Sequence, residues 1–149
     1  MKKRSQRIDR VVSLAKSEER RSGQAAGRIR REFEAHVERL GELNAYRHSY
    51  AQLAQSLQQI DAAHWKDYQN FLARLDEAVA SQQQVVKRCQ QHLEAQQRRW
   101  IAKRQRLESL ERVLERHRLQ ESTNEARRLQ RRIDDRTVPA DIYAEDIDD

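Results

Sequence analysis

From residue 72 onward an apolar side chain recurs at every seventh position: Leu72, Val79, Val86, Leu93, Trp100, Leu107 and Leu114. Three residues after each stand Leu75, Gln82, Cys89, Gln96, Lys103, Leu110 and His117, so half of the stripe is mixed. A seven-residue period keeps one stripe of a supercoiled helix against a partner. It predicts a long second helix over about 62–135. Trp65 and Tyr68 carry the register back towards its start, and Phe71, Ala78 and Val85 form a second seven-spaced row beside it. The N-terminal half is patterned more weakly. Leu43, Tyr46, Tyr50, Leu53, Leu57 and Ile60 alternate three and four apart. Upstream, Ile8, Val11, Ala15, Ala25, Ile29, Phe33, Val37 and Leu40 keep helical spacing with a drifting phase. A first helix over about 6–58 is predicted, loosened by Gly23, Gly27 and Gly41, since each glycine costs a helix about 1 kcal/mol relative to alanine.

The break falls in "LQQIDAAHW", with a turn at about 59–62 and Asp61 as N-cap of the second helix, its carboxylate favoured by the helix dipole. A short connection makes neighbouring helices antiparallel. The predicted fold is all-α: one long antiparallel two-helix coiled coil, an α-hairpin, over residues 1–136, with the second helix the longer. The acidic "TVPADIYAEDIDD", 137–149, is predicted to be a disordered tail. A continuous parallel dimer is the other arrangement the pattern allows.

Folding about residues 60–61 sets Ile8 opposite Val113 or Leu114 and leaves the rest of the second helix without an intramolecular partner. The stripe also changes phase there, resuming as Leu119, Ala126, Leu129 and Ile133. Arg116, Arg118, Leu119, Arg127, Arg128, Leu129, Arg131 and Arg132 thus form a basic overhang suited to another protein, against the plainer reading of a solvated helix end.

Composition narrows the classes. Charged residues make up 36% and mean hydropathy is −1.11; three glycines and one proline cannot supply the turns of a many-element fold. The net charge of +6 points to an acidic partner, such as nucleic acid, anionic lipid or protein. Residues 1–31 hold eleven Lys/Arg against three Asp/Glu, a net of +8. Elsewhere the signs alternate as on an exposed helix. The aromatics keep heptad spacing rather than lying among the arginines as base-stacking platforms, which makes specific nucleic-acid binding the weaker reading. No apolar run suits a signal peptide or a membrane span, so a cytoplasmic protein without membrane insertion is expected.

Catalytic chemistry is not indicated. There is no glycine-rich phosphate loop, no HExxH motif and no cysteine cluster. Cys89 and His92 share a helix face, but two ligands make a poor metal site, and a seam thiol is the simpler reading. No catalytic, cofactor-binding or metal-binding residue is assigned.

Most of the aromatic residues fall between Tyr46 and Phe71. They either plug the hairpin end or form a docking patch, because aromatic clusters that cannot be fully buried mark interfaces. Phe71 is the one the seam does not account for.

The run "LNAYRHSYAQ", then a turn, then "HWKDYQNFLARLDEAVASQQQ" and a basic helix with "RRWIAKRQRLESLE" resembles the FliJ family of flagellar export proteins, over about residues 8–135. The resemblance implies a soluble stalk of the flagellar type III export apparatus. Such a stalk inserts its terminal end into the hexameric export ATPase, couples that ring to the export gate FlhA and escorts export chaperones. It implies no enzymatic activity, no cofactor, and a cytoplasmic location peripheral to the inner membrane. Carried over by matching positions, the gate-binding patch comprises Leu43, Tyr46, Tyr50, Phe71, Leu75 and Ala78. The alternatives are a stalk of a virulence secretion system, or a basic coiled coil binding nucleic acid or anionic membrane.

Overall fold

A computed structural model describes residues 3–56 and 61–142. It contains two helices, α1 (Arg4–Ser56) and α2 (Ala62–Ile142), and no strand among the described residues. Cross-helix partners run in opposite directions along the two helices. Tyr50 meets Tyr68, His36 meets Gln82 and Ser22 meets Gln96. The fold is the antiparallel hairpin that the heptads predict. The pair divides into two compact units: a first unit of Met1–Glu18 with Arg104–Asp149, and a second of Glu19–Lys103.

In the second unit the seam of α2 is the predicted one. Leu75, Val79, Gln82 and Leu93 are buried, while Leu72, Val86, Cys89, Gln96 and Trp100 are half-buried. The drifting phase predicted for α1 is not observed. Ala26 is buried where Ala25 is half-buried, His36 turns inward beside an exposed Val37, and Tyr50 and Ala54 face inward while Tyr46 and Leu53 stay about half exposed. In the first unit, likewise, Val12 is buried and Val11 is 42% exposed. The inward positions of α1 keep a three–four spacing, Ser5, Ile8, Val12 and Ala15 in the first unit and Glu19, Ser22, Ala26, Ile29, Phe33, His36, Leu40 and Leu43 in the second, and after the exposed Arg47 it resumes at Tyr50. Hydropathy alone misplaces the stripe because Ser5, Glu19, Ser22 and His36 interrupt it.

Those polar seam residues are paired. Gln82 donates from Nε2 to the His36 carbonyl at 3.0 Å, and Gln96 donates to the Ser22 carbonyl at 3.3 Å. The Trp100 indole N–H donates to Glu19 at 2.9 Å. No buried side-chain nitrogen or oxygen lacks a partner among the described residues, which removes the desolvation cost that an unmet polar group in the seam would carry. Gly23 has a specific reason. A Cβ there would lie 2.9 Å from Trp100 Nε1, so glycine makes room for the indole. At Gly41 nothing lies within 4 Å of such an atom.

Asp61 stands where the N-cap was expected. Its carbonyl accepts the first helical hydrogen bond, from Trp65 N–H at 2.9 Å. Leu57, Ile60 and the first half of the expected turn, residues 59–60, lie outside the described residues. α2 continues past its expected end near residue 135 to Ile142, and residues 143–149 of the acidic tail lie outside the described residues.

Candidate partner-binding surfaces

Five aromatic rings meet across the two helices of the second unit. Tyr50 is central: its ring stacks on Tyr68 at 5.5 Å and 8°, and meets Phe71 at 4.5 Å and Tyr46 at 5.9 Å. Tyr46 meets Phe71 edge-on at 6.2 Å, and Trp65 stacks on Tyr68 at 5.7 Å. The Tyr68 hydroxyl donates to the Tyr50 carbonyl at 2.8 Å, tying the helices together at the middle of the stack. Arg47 and Asp76 form an ion pair at 2.6 Å in the same stretch of the two helices. Offset and edge-on contacts of this kind hold ring orientation beyond what area burial alone provides.

Of the six residues carried over as a gate-binding patch, Tyr46, Tyr50 and Phe71 are in mutual contact. Tyr46 is 52% exposed, and with Arg39, Glu42 and Leu43 it lines an open groove. Leu43, Phe71 and Ala78 are half-buried. Leu75 is buried in the seam at 7%, where it supports the patch and offers little surface to a partner. Phe71 is accounted for by Tyr46 and Tyr50, because the position before a seam residue on each helix lies on the same side of an antiparallel pair. Trp65 and Tyr68, expected on the seam register, extend the stack, and Trp65 is 45% exposed. The three-residue steps from Trp65 to Tyr68 to Phe71 were the signal in the sequence.

In the first unit the pairing of α1 with α2 goes further than expected. Asp9 pairs with Arg118 at 3.3 Å, and Lys3 pairs with Glu125. Glu121 accepts from Ser5 N–H at 3.2 Å and from Ser5 Oγ at 2.6 Å. The expectation that α2 lacks an intramolecular partner beyond Leu114 is therefore corrected. The apparent phase change at Leu119 hid the fact that His117 and Glu121 continue the original heptad. Glu121 works as a cap from the other helix: it satisfies a first-turn N–H of α1 that has no intrahelical acceptor, and its charge suits that end of the dipole. Ser5 holds the Glu121 carboxyl below the usual carboxylate range through both hydrogen bonds, and Glu125 raises Lys3 above the usual lysine value.

Arg116, Arg118 and Leu119 consequently lie on the stretch of α2 that pairs with α1. Arg127, Arg128, Leu129, Arg131 and Arg132 lie past Glu125, the last residue of α2 seen to pair with a described residue of α1. All of them are exposed, Leu119 by 63%, Leu129 by 60% and Ile133 by 49%. None of Arg127, Arg128, Arg131 and Arg132 pairs with a carboxylate among the described residues.

Among the described residues there is no group of three His, Cys, Asp or Glu side chains able to hold a metal ion. Cys89 is half-buried in the seam and His92 is exposed. No helix among the described residues is long and apolar enough to cross a membrane. Both surfaces are open helix faces, suited to holding another macromolecule.

No curated protein and no solved structure matches the chain. The family model described as flagellar FliJ protein matches residues 4–139, nearly the whole chain and both surfaces described above. The chain belongs to the FliJ family and is a component of the flagellar protein export apparatus.

Proposed function

We propose that the chain is a non-enzymatic stalk that couples the hexameric export ATPase to the cytoplasmic domain of the export gate FlhA and escorts export chaperones. It would work in the cytoplasm, at the inner face of the membrane. The observation that carries this reading is the aromatic stack built on Tyr46, Tyr50 and Phe71, with Tyr46 exposed, in a chain matched to the FliJ family. A well-ordered aromatic surface with an exposed edge is the usual material of a binding hot spot. The gate is assigned to that stack. The ATPase ring is assigned to the basic part of α2 that runs through Arg116, Arg118 and Leu119 to Arg127, Arg128, Leu129, Arg131 and Arg132. Nucleotide hydrolysis belongs to the ring, and the stalk carries no chemistry of its own. The flagellar assignment is preferred to a virulence secretion stalk because the matching family is the flagellar one.

Co-purification tests the assignment. The full chain is expected to bring down both the export ATPase and the FlhA cytoplasmic domain. Tyr50→Ala with Phe71→Ala is expected to weaken gate binding more than ring binding. Failure to bind either partner, with salt-sensitive DNA binding in its place, would sink the reading.

A further inference from the structure

Trp100 is the bulkiest half-buried side chain of α2, and α1 is shaped to receive it. Gly23 leaves the space: a Cβ there would lie 2.9 Å from the indole Nε1 and 3.2 Å from Cε2. One turn earlier, Glu19 accepts the indole N–H at 2.9 Å. Space and acceptor thus come from one helix, four residues apart.

Neither helix repeats this socket. All three glycines of the chain, Gly23, Gly27 and Gly41, belong to α1. Four residues before Gly27 stands Gly23, and four before Gly41 stands Val37, so neither has a side-chain acceptor one turn away. α2 contains no glycine. The rest of its seam in the second unit does not discriminate between partners. Leu72, Leu75, Val79, Val86 and Leu93 would pack as well against their own counterparts in a second copy. Gln82 and Gln96 would pair there too, since facing amides can satisfy one another. Without Trp100 this stretch of α2 is self-complementary.

We propose that Glu19 and Gly23 form a socket that assigns α2 to an α1 partner and bars it from pairing with the α2 of a second copy. In a parallel pair of copies the same seam positions face each other. Trp100 would then meet Trp100, with no glycine to make room and Gln96 in place of a carboxylate one turn before it. Overpacking of that kind forces side chains off their rotamers and shifts the backbone. Glu19 would meet Glu19, and like charges repel. The five-residue connection between Ser56 and Ala62 makes the chain's own α1 the nearest carrier of the socket. Tyr46 and Tyr50 come from α1 and Tyr68 and Phe71 from α2, so an α2 paired with another α2 would hold no complete aromatic stack. The inference does not rest on the stalk assignment, and failure of either leaves the other standing.

Trp100→Leu in the full-length chain tests it, because leucine fits the stripe and needs no socket. Sedimentation equilibrium is expected to give a monomer for the wild type and a dimer for Trp100→Leu. The dimer dissociation constant should fall by about tenfold or more, the equivalent of one charge-assisted hydrogen bond. Trp100→Met should shift it in the same direction. Cys89 reports which helices pair: it is half-buried on the α2 seam, and in a parallel α2 pair it would face its own counterpart. Mild oxidation should therefore yield a disulfide-linked dimer with Trp100→Leu and none with the wild type. Leu93→Ala loosens the same seam but leaves the socket intact, and should stay monomeric. So should Glu19→Gln, whose amide oxygen still accepts the indole N–H. Circular dichroism should show every variant helical. A wild type that dimerises or oxidises as readily as Trp100→Leu would overturn the proposal, and so would a monomeric Trp100→Leu. Equal dimerisation of Leu93→Ala and Trp100→Leu would reduce the effect to a loosened hairpin and overturn it as well.

Discussion

Gly23 and Gly41 look alike in sequence, as residues that weaken a long helix, and their surroundings separate them. Gly41→Ala adds a methyl group into open space at an ordinary helical φ, and should stabilise the hairpin by up to about 1 kcal/mol in urea unfolding. Gly23→Ala gains the same propensity but drives its Cβ to within 2.9 Å of the Trp100 indole, which is held by Glu19. It should come out destabilising, with a change in Trp100 fluorescence. Ser5 and Glu121 make the second residue-scale prediction. Glu121 is depressed in the folded chain, so its contribution is present above the ordinary glutamate value of 4.5 and is lost as pH falls through the lower folded value. The melting-temperature difference between wild type and Glu121→Gln should therefore be constant near neutrality and shrink in acid. A difference that grows in acid would remove Glu121 from its capping role.

The two helices differ in how their stripes were written. α2 announces itself because Val79, Leu93 and Leu114 are apolar and buried at the first seam position of their heptads. α1 obeys the same period, but fills it with serine, glutamate and histidine, each satisfied by a residue of α2. The pairing read from Asp9, Ser5 and Lys3 also sets where α2 can be cut. A chain ending after Glu125 keeps every one of those contacts and should melt as the full chain does. It is expected to lose the export ATPase if Arg127, Arg128, Arg131 and Arg132 hold the ring. A chain ending after Leu114 also removes the partners of Asp9, Ser5 and Lys3, so it should melt earlier. Comparing the two separates ring binding from hairpin stability.

For the whole chain, the family match and the aromatic surface meet in one functional assay. Tyr46→Ala with Phe71→Ala removes the exposed Tyr46 ring and the half-buried ring it meets, while leaving the buried seam residue Leu75 in place. The variant should remain helical by circular dichroism yet fail to restore filament assembly in cells lacking the protein, whereas Gly41→Ala should restore it. Full restoration by the aromatic double variant would place gate binding elsewhere.

The heptad from Leu72 to Leu114, the scarcity of glycine and proline, and Asp61 before the second helix were enough to determine two long helices; they favoured an antiparallel hairpin, and the cross-helix partners decided it against a parallel dimer. These are local and periodic properties, and each is written in the residues that carry it. The aromatic concentration between Tyr46 and Phe71 was equally plain, but which rings touch was not. The seam of α1, the reach of its pairing to Glu125 and the socket that Glu19 and Gly23 make for Trp100 belong to the tertiary structure alone. A polar residue in a sequence reads as an outward one until a partner on another helix is seen to satisfy it. Ser5, His36 and Glu121 are inside because Glu121, Gln82 and Ser5 meet them there.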